Sequence, residues 1–255
     1  MPDDKTLDSV NFSNSLNKPD FVDPKQRTAQ WQTVGTVQSF TPHERGIRLI
    51  CERGQVEMQW ITEDCLRVRL KTTADDFDTP FSYSVHKTEW QAVSFEVNDG
   101  MESIELRSPL LRCYINKTSL TLTLEALDGT PICHDTSGMQ YGADGAVALS
   151  MSLHPGESSY GMGERASSLN LRGKRFIHWN TDYVDYERDS DPLYYCIPFY
   201  LGVHHSTAYG VFWDNSHRGS TDIGAAKNDE LRFEAENGEL RYYLFGGTDI
   251  KRILA

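Results

Sequence analysis

The sequence predicts an all-β fold, a large antiparallel β-sandwich, from three observations. After Trp31, apolar and polar residues alternate with a period of two in many short segments, the pattern of strands that bury one face. Turn residues such as Asp99-Gly100 and Asp128-Gly129 separate these segments. Helical periodicity is almost absent until the final residues. Many short strands with regular turns favour two packed sheets.

Composition divides the chain into three regions. Residues 1–29 are polar and contain prolines, and we expect a mobile arm there because such a segment buries too little apolar surface to order by itself. Residues 30–247 make up the predicted sandwich. Residues 248–255 contain an N-cap residue, Thr248 or Asp249, and apolar residues at helical spacing. We expect the start of a short helix here, and a natural polypeptide that continues, because so short a helix is marginal in water.

Alternation also places the strands, which we expect to be half-buried, with polar residues such as Glu57 and Gln59 on the face opposite the core. The predicted strands are 47–51, 56–60, 66–70, 93–97, 104–106, 111–115, 120–124, 231–235 and 240–244. Asn237-Gly238 separates the last two segments, and this dipeptide between alternating segments predicts a β-hairpin.

Charge and composition argue against several classes of protein. The net charge of −12 argues against nucleic-acid binding, which needs a concentrated basic surface. The sequence contains no run of about 18 apolar residues, which is the length that a membrane-spanning helix needs. The first residues lack the basic-then-apolar pattern of a signal peptide, which predicts a cytoplasmic protein. The cysteines have no CxxC spacing, and we expect reduced, mostly buried thiols at Cys51, Cys65, Cys113, Cys133 and Cys196.

Two motifs suggest cofactor or metal chemistry, and their context rejects both. The segment from Gly161 to Ala166 fits a dinucleotide-binding pattern, but the residues that follow are turn-like and no βαβ unit is present, so we expect glycine-permitted bends and no cofactor. His204 and His205 are neighbours whose side chains diverge, and no third ligand has suitable spacing. We therefore expect a polar hairpin turn and no metal.

The segment 176–191 interleaves aromatic rings with carboxylates. Sugar recognition needs apolar platforms for the C–H faces of the ring and planar acceptors for hydroxyl groups. This loop offers both, in Trp179, Tyr183, Tyr186, Asp182, Asp185, Asp189 and Asp191. An acidic surface loop whose aromatics fold back on the sandwich has the same composition, and composition does not separate the two interpretations.

An ordered series of short motifs connects these features. It consists of Tyr160-Gly161-x-Gly163-Glu164, Leu171-Arg172-Gly173-Lys174, Trp179-Asn180-x-Asp182, Asp191-Pro192-Leu193-Tyr194, Ile197-Pro198-Phe199 and Tyr209-Gly210-Val211-Phe212 with Asn215. The series closely resembles the N-terminal domain of glycoside hydrolase family 31, the α-glucosidase and α-xylosidase family. Weaker resemblance extends over most of the remaining chain.

The resemblance implies a galactose-mutarotase-like sandwich that precedes a (β/α)8 barrel. In the family, that barrel carries both catalytic aspartates of a retaining double displacement, so the resemblance implies no catalytic residue in this chain and leaves its own enzymatic activity open. It also implies that the loop after Trp179 reaches over the barrel mouth, where Asp182 accepts hydrogen bonds from substrate hydroxyls and Tyr183 forms a wall. The expected partners are an α-glucoside or oligosaccharide and the absent C-terminal barrel.

Two other functions stay open at this point. An autonomous carbohydrate-binding module would use the same aromatic loop without a barrel. Aldose mutarotase activity is suggested by the fold alone, which is weak evidence for chemistry, and the sequence offers no convincing His and Glu pair for proton transfer.

Overall fold

The fold consists of two antiparallel sheets that share one apolar core. The computed structural model describes residues 30–255 except 74–76, 79–80, 206, 248 and 255. The predicted mobile arm, residues 1–29, lies outside the described residues. Trp31–Ala255 forms a unit of its own. Within the described part of the chain, no helix is long and apolar enough to cross a bilayer.

The strands and the helix are β1 (Val37–His43), β2 (Gly46–Cys51), β3 (Gly54–Thr62), β4 (Cys65–Lys71), β5 (Glu96–Asp99), β6 (Ser103–Arg107), β7 (Leu111–Asn116), β8 (Leu122–Ala126), β9 (Pro131–Tyr141), β10 (Val147–Ser152), β11 (Ser158–Gly163), β12 (Lys174–His178), β13 (Cys196–His204), β14 (Thr207–Trp213), β15 (Gly219–Ile223), β16 (Glu230–Ala235), β17 (Leu240–Gly247) and α1 (Ile250–Ile253). The first sheet has the order β1-β2-β3-β4-β17-β14-β13-β11. The second sheet has the order β12-β15-β16-β10-β9-β8-β7-β6-β5.

Strand alternation decides which side chains meet in the core. In β7, Leu111, Cys113 and Ile115 are buried, and the residues between them are half-buried. From the first sheet, Trp213 of β14 stacks on Phe233 of β16 in the second sheet, with ring centroids 5.7 Å apart. The predicted β-sandwich is therefore confirmed.

The outer face of β3 differs from the prediction. Glu57 and Gln59 are only 4% and 7% exposed, so this strand is buried on both faces and not half-buried. The segment after β4 covers this side, where Arg69 donates a hydrogen bond to the Asp78 carbonyl oxygen at 3.0 Å and lies 5.0 Å from the Phe77 ring centroid. Glu57 forms an ion pair with Arg69 at 3.5 Å. Polar residues at alternate positions can thus mark a buried ion-pair network as well as a solvated face.

The predicted hairpin at Asn237-Gly238 is wrong. β16 pairs with β10 and β15, whereas β17 pairs with β14 and β4. The turn, in which Gly238 has a φ of +92°, therefore carries the chain from one sheet to the other. Both strands direct apolar side chains into the same core from opposite sides. Alternation specifies the buried face of a strand but not its partner, and this is why the prediction failed.

The remaining predicted strands are present with small shifts in their bounds. The largest shifts are of three residues, at the start of β5, which begins at Glu96 and not at Val93, and at the end of β17, which continues to Gly247 and not only to Leu244. The short C-terminal helix α1 is also confirmed, and Asp249 is its N-cap because its side chain accepts a hydrogen bond from the Lys251 backbone N–H at 2.9 Å. Ile253 of this helix is buried against the first sheet.

Candidate functional site

The candidate site is the loop of residues 179–195, called here the 179–195 loop. It follows His178, the last residue of the edge strand β12 in the second sheet, and it ends before Cys196, the first residue of β13 in the first sheet. Because these two strands belong to different sheets, the loop has to cross the edge of the sandwich. The residues predicted to bind substrate, Trp179, Asp182 and Tyr183, therefore lie at one end of the two sheets.

A buried ion pair anchors the last part of this loop. Arg165 Nη1 lies 2.5 Å from Asp191 Oδ1, and Asp191 Oδ2 accepts a hydrogen bond from the Ile177 backbone N–H at 2.7 Å. The Arg165 guanidinium also lies 4.9 Å from the Phe176 ring centroid. Burial raises the pKa of Asp191, and the nearby Arg165 charge opposes this shift. The Asp191 carboxylate thus has a structural role, because its contacts hold the loop in place.

Asp189 has a similar structural role. Its Oδ1 accepts hydrogen bonds from Ser167 Oγ at 2.7 Å and from Lys174 Nζ at 2.9 Å. These bonds lower the pKa of Asp189, because they favour the ionised carboxylate. Two of the four aspartates that composition offered as sugar acceptors therefore hold the loop in place.

The first part of the loop has free polar and aromatic groups. Trp179 and Tyr183 are 44% and 41% exposed, and Asp182 is exposed between them in the sequence. Within the described residues, the Asp182 carboxylate has no hydrogen-bond partner. The Arg218 guanidinium lies 5.7 Å from the Trp179 ring centroid and holds that side chain from one side. These aromatic rings do not fold back completely onto the sandwich, and the carboxylate beside them can accept hydrogen bonds from a ligand.

A cleft of about 440 Å³ adjoins Trp179. His178 lies in its wall as a buried imidazole, with Nε2 2.6 Å from Thr221 Oγ1. Burial and the Arg165 charge lower the pKa of His178 to about 3, so the ring is neutral near pH 7. Asp214, also in the wall, pairs with Arg241 at 2.7 Å. No local pattern in the sequence indicates this pair, because Asp214 directly follows β14 whereas Arg241 lies in β17, and the two side chains meet only in the folded chain.

The glycines of the rejected dinucleotide motif lie in β11. Gly161 and Gly163 have φ values of +105° and +81°. A Cβ atom at Gly161 would lie 2.1 Å from the Phe199 carbonyl oxygen, and one at Gly163 would lie 2.4 Å from the Tyr195 carbonyl oxygen. The glycines permit backbone bends, as predicted; they also permit close packing of β11 on β13, which the sequence did not indicate, and no helix follows them.

The histidine pair lies at the other end of the first sheet. β13 and β14 pair as an antiparallel hairpin in which His204 is opposite Thr207, and this confirms the predicted turn. Spacing along the chain showed no companion ligands for His204. The fold brings it close to His154 and Glu157. Glu157 is only 1% exposed and is hydrogen-bonded by two tyrosines, so this His and Glu group is not an open site for an aldose.

Residues 55–222 match the family model of the glycosyl hydrolase 31 N-terminal galactose mutarotase-like domain. The chain belongs to this family. It is 28% identical over 240 residues to alpha-glucosidase 2 of Bacillus thermoamyloliquefaciens, a match that covers 93% of this chain and 30% of the relative. It is 27% identical over 268 residues to alpha-xylosidase XylQ of Lactiplantibacillus pentosus, covering 96% of this chain and 33% of that protein. This family 31 chain thus spans about a third of the length of these two relatives.

Solved structures support the fold of this family 31 domain. A GH31 dextranase of Flavobacterium johnsoniae in complex with glucose superposes with a TM-score of 0.80 at 24% identity, covering 88% of this chain and 28% of that one. The cycloalternan-forming enzyme of Listeria monocytogenes gives a TM-score of 0.75 at 18% identity, covering 89% and 22%. At these identities the likeness establishes the galactose mutarotase-like sandwich.

Proposed function

We propose that this chain works as the N-terminal, non-catalytic module of a retaining glycosidase that hydrolyses α-linked glucosides. Membership of the family 31 N-terminal domain supports this proposal, as do relatives named as an alpha-glucosidase and an alpha-xylosidase. The observation that carries it is the exposed Asp182 carboxylate, which has no hydrogen-bond partner in the described chain and lies in the sequence between Trp179 and Tyr183, whose rings are also exposed.

The proposed chemistry divides between this module and a catalytic barrel. The barrel supplies a nucleophile and a general acid/base, two carboxyl groups about 5 Å apart. Asp182 accepts hydrogen bonds from substrate hydroxyls, while the Tyr183 and Trp179 rings pack against the C–H faces of the sugar. In this division, the module positions the substrate and takes no part in bond cleavage.

Exposed apolar side chains around the 179–195 loop support docking of the barrel at this end. Single exposed hydrophobic residues are normal on protein surfaces, but a group of them marks an interaction site. This group consists of Phe81, Tyr83, Trp179, Tyr183, Val184, Tyr186, Tyr194, Tyr195 and Ile197. We expect a continuous apolar patch well above a few hundred Å² here.

The test is Asp182→Asn in a polypeptide that carries this chain together with a family 31 catalytic barrel. Loss of one charge-assisted hydrogen bond, worth about 1.5–3 kcal/mol, should lower kcat/KM on maltose and longer α-glucans by about 10- to 150-fold. Asp185→Asn is the matched control, because Asp185 is exposed on the same loop and its φ of +58° suits asparagine. Wild-type kcat/KM in the Asp182 variant would refute the substrate role.

Titration of the chain alone separates this proposal from an autonomous carbohydrate-binding module. Without a barrel, a single carboxylate and two half-exposed rings bury too little of a sugar, so we expect no calorimetric binding of maltose or isomaltose at millimolar concentration. Millimolar affinity would instead support the autonomous module.

The free thiols support the cytoplasm as the location of this module. Cys51, Cys65, Cys113 and Cys133 are buried, Cys196 is half-buried, and all are free. Disulfides persist in oxidising compartments, so a fold stabilised without them suits a reducing one.

A further inference from the structure

A tight turn brings two potential metal ligands together at the end of the sandwich remote from the 179–195 loop. The Glu157 backbone N–H donates to the His154 carbonyl oxygen at 3.1 Å, and Gly156 between them has a φ of +74°. This geometry, with Pro155 before the glycine, is that of a type II turn. The turn joins β10 of the second sheet to β11 of the first.

The third residue, His204, comes from the end of β13. Its ring stacks on His154, with centroids 3.8 Å apart and planes inclined by 20°. His204 Nε2 lies 2.8 Å from the Ile132 carbonyl oxygen, an acceptor, so this nitrogen carries the proton. The other nitrogen, Nδ1, keeps its lone pair in the neutral ring, and its nearest polar contact is Thr207 Oγ1 at 3.4 Å.

Among the described residues, the Glu157 carboxylate has no cationic hydrogen-bond partner. Its Oε1 accepts hydrogen bonds from the hydroxyls of Tyr200 and Tyr209, and its Oε2 accepts one from the His154 backbone N–H at 3.1 Å. All three donors are neutral. Arg172 donates to the backbone carbonyls of His154 and Glu157. A buried carboxylate with neutral partners is costly, and a bound cation would stabilise it.

We propose that His154, Glu157 and His204 bind one divalent transition-metal ion of the zinc class. One potential ligand atom of each residue lies within 4.8 Å of those of the other two. His154 Nε2 is buried and has no hydrogen-bond partner in the part of the chain that the structure describes. Two imidazoles and one carboxylate form a donor set that Zn²⁺ takes. The hydrogen bond from His204 to a backbone carbonyl is the outer-shell contact that orients a ligating histidine.

Binding requires a rotation of the His154 ring. The lone pairs of nearly parallel rings do not converge on one point, so one ring has to turn toward the other two ligands. His154 can do this because it is half-buried and its Nε2 has no hydrogen bond to any described residue that would have to break. The metal would then connect the β10–β11 turn to the end of β13 and hold the two sheets together. β13 from Cys196 to His204 spans about 26 Å, so this ion is remote from the proposed sugar site.

The test is calorimetric titration of the tag-free, chelator-treated chain with Zn²⁺. We expect one ion per chain and a Tm that rises with Zn²⁺ concentration, as mass action requires. His154→Phe keeps a flat ring against His204 but removes both nitrogens. Loss of an outer-shell partner can lower metal affinity by about 100-fold, and loss of a direct ligand should lower Zn²⁺ affinity by more than this. His86→Phe, at an exposed histidine, is the matched control and should bind Zn²⁺ like the wild type.

Co²⁺ as a spectroscopic probe separates this site from the free thiols. Ligation by His and Glu gives d–d absorption without a thiolate-to-cobalt charge-transfer band. The proposal is overturned if the wild-type chain binds no stoichiometric Zn²⁺, if a thiolate band appears, or if folded His154→Phe binds as tightly as the wild type. A wild-type chain that binds no stoichiometric Zn²⁺ overturns the proposal even if the variant does not fold.

Discussion

Asp135 in β9 is a buried carboxyl group whose ionisation opposes folding. Burial raises its pKa to about 7, and a hydrogen bond from the Leu122 backbone N–H at 2.9 Å opposes this shift only in part. The titratable groups that interact with it are Cys113, Cys133 and Tyr242, whose own pKa values are raised by burial. These groups are neutral near pH 7, so Asp135 is the one of the four that changes charge there.

The stability of the fold should depend on pH through Asp135. In the unfolded chain Asp135 has a pKa of about 3.9, so the folded chain binds more protons between about pH 4 and 7. The free energy of unfolding should therefore fall as pH rises through this window, by up to about 4 kcal/mol from this group. Asp135→Asn keeps an acceptor for Leu122, so it should be more stable than the wild type at pH 8.

Urea unfolding at pH 5 and pH 8 measures this effect, with Asp185→Asn as an exposed control. If the free energy of unfolding of Asp135→Asn differs between pH 5 and pH 8 by as much as that of the wild type, another group causes the pH dependence.

Strand β11 contains two glycines, Gly161 and Gly163, at positions where a side chain would clash with β13 or the residue before it. Gly161 combines a φ of +105° with a Cβ position 2.1 Å from the Phe199 carbonyl oxygen of β13. Gly129 has a similar φ of +88° but nothing within 4 Å of its Cβ position. The two glycines therefore separate the cost of backbone conformation from the cost of close strand packing.

We expect Gly161→Ala to destabilise the chain by more than about 3 kcal/mol, because β11 must move away from β13 in addition to the conformational cost. Gly129→Ala should cost only about 1–2 kcal/mol, the price of the left-handed conformation. Chemical denaturation of both variants gives the comparison. Equal losses in the two variants would mean that the contact with Phe199 relaxes freely.

For the whole molecule, stability depends on contacts that cross between the sheets. Trp213 and Phe233 are 1% and 0% exposed and stack with planes inclined by 19°. β14 and β16 carry them on opposite sheets. The Asn237-Gly238 connection also passes from one sheet to the other, so each sheet is built from strands that come from separate parts of the sequence. We expect the two sheets to unfold together.

Phe233→Ala should lower the free energy of unfolding by about 3–5 kcal/mol, because it removes a buried ring and leaves a cavity against Trp213. Leu169→Ala is a suitable control, since Leu169 is 83% exposed. Tryptophan fluorescence and far-ultraviolet circular dichroism should give coincident denaturation curves. Separate transitions would show that the sheets unfold independently.

Local patterns in the sequence were sufficient for the fold class and the family. Alternation with a period of two reports which face of a strand is buried, and Gly161 and Gly163 indicate backbone bends. The motif series from Tyr160 to Asn215 is also local, and it located the 179–195 loop with Trp179, Asp182 and Tyr183.

Only the tertiary structure decided which strands pair and which distant side chains meet. It placed β16 and β17 in different sheets, buried Glu57 beneath the segment that follows β4, and brought His154 and Glu157 to His204. The physical reason is that burial of a face is a property of one strand, which its own residues record. Pairing and clustering depend on contacts between residues far apart in the chain, and no local spacing records them.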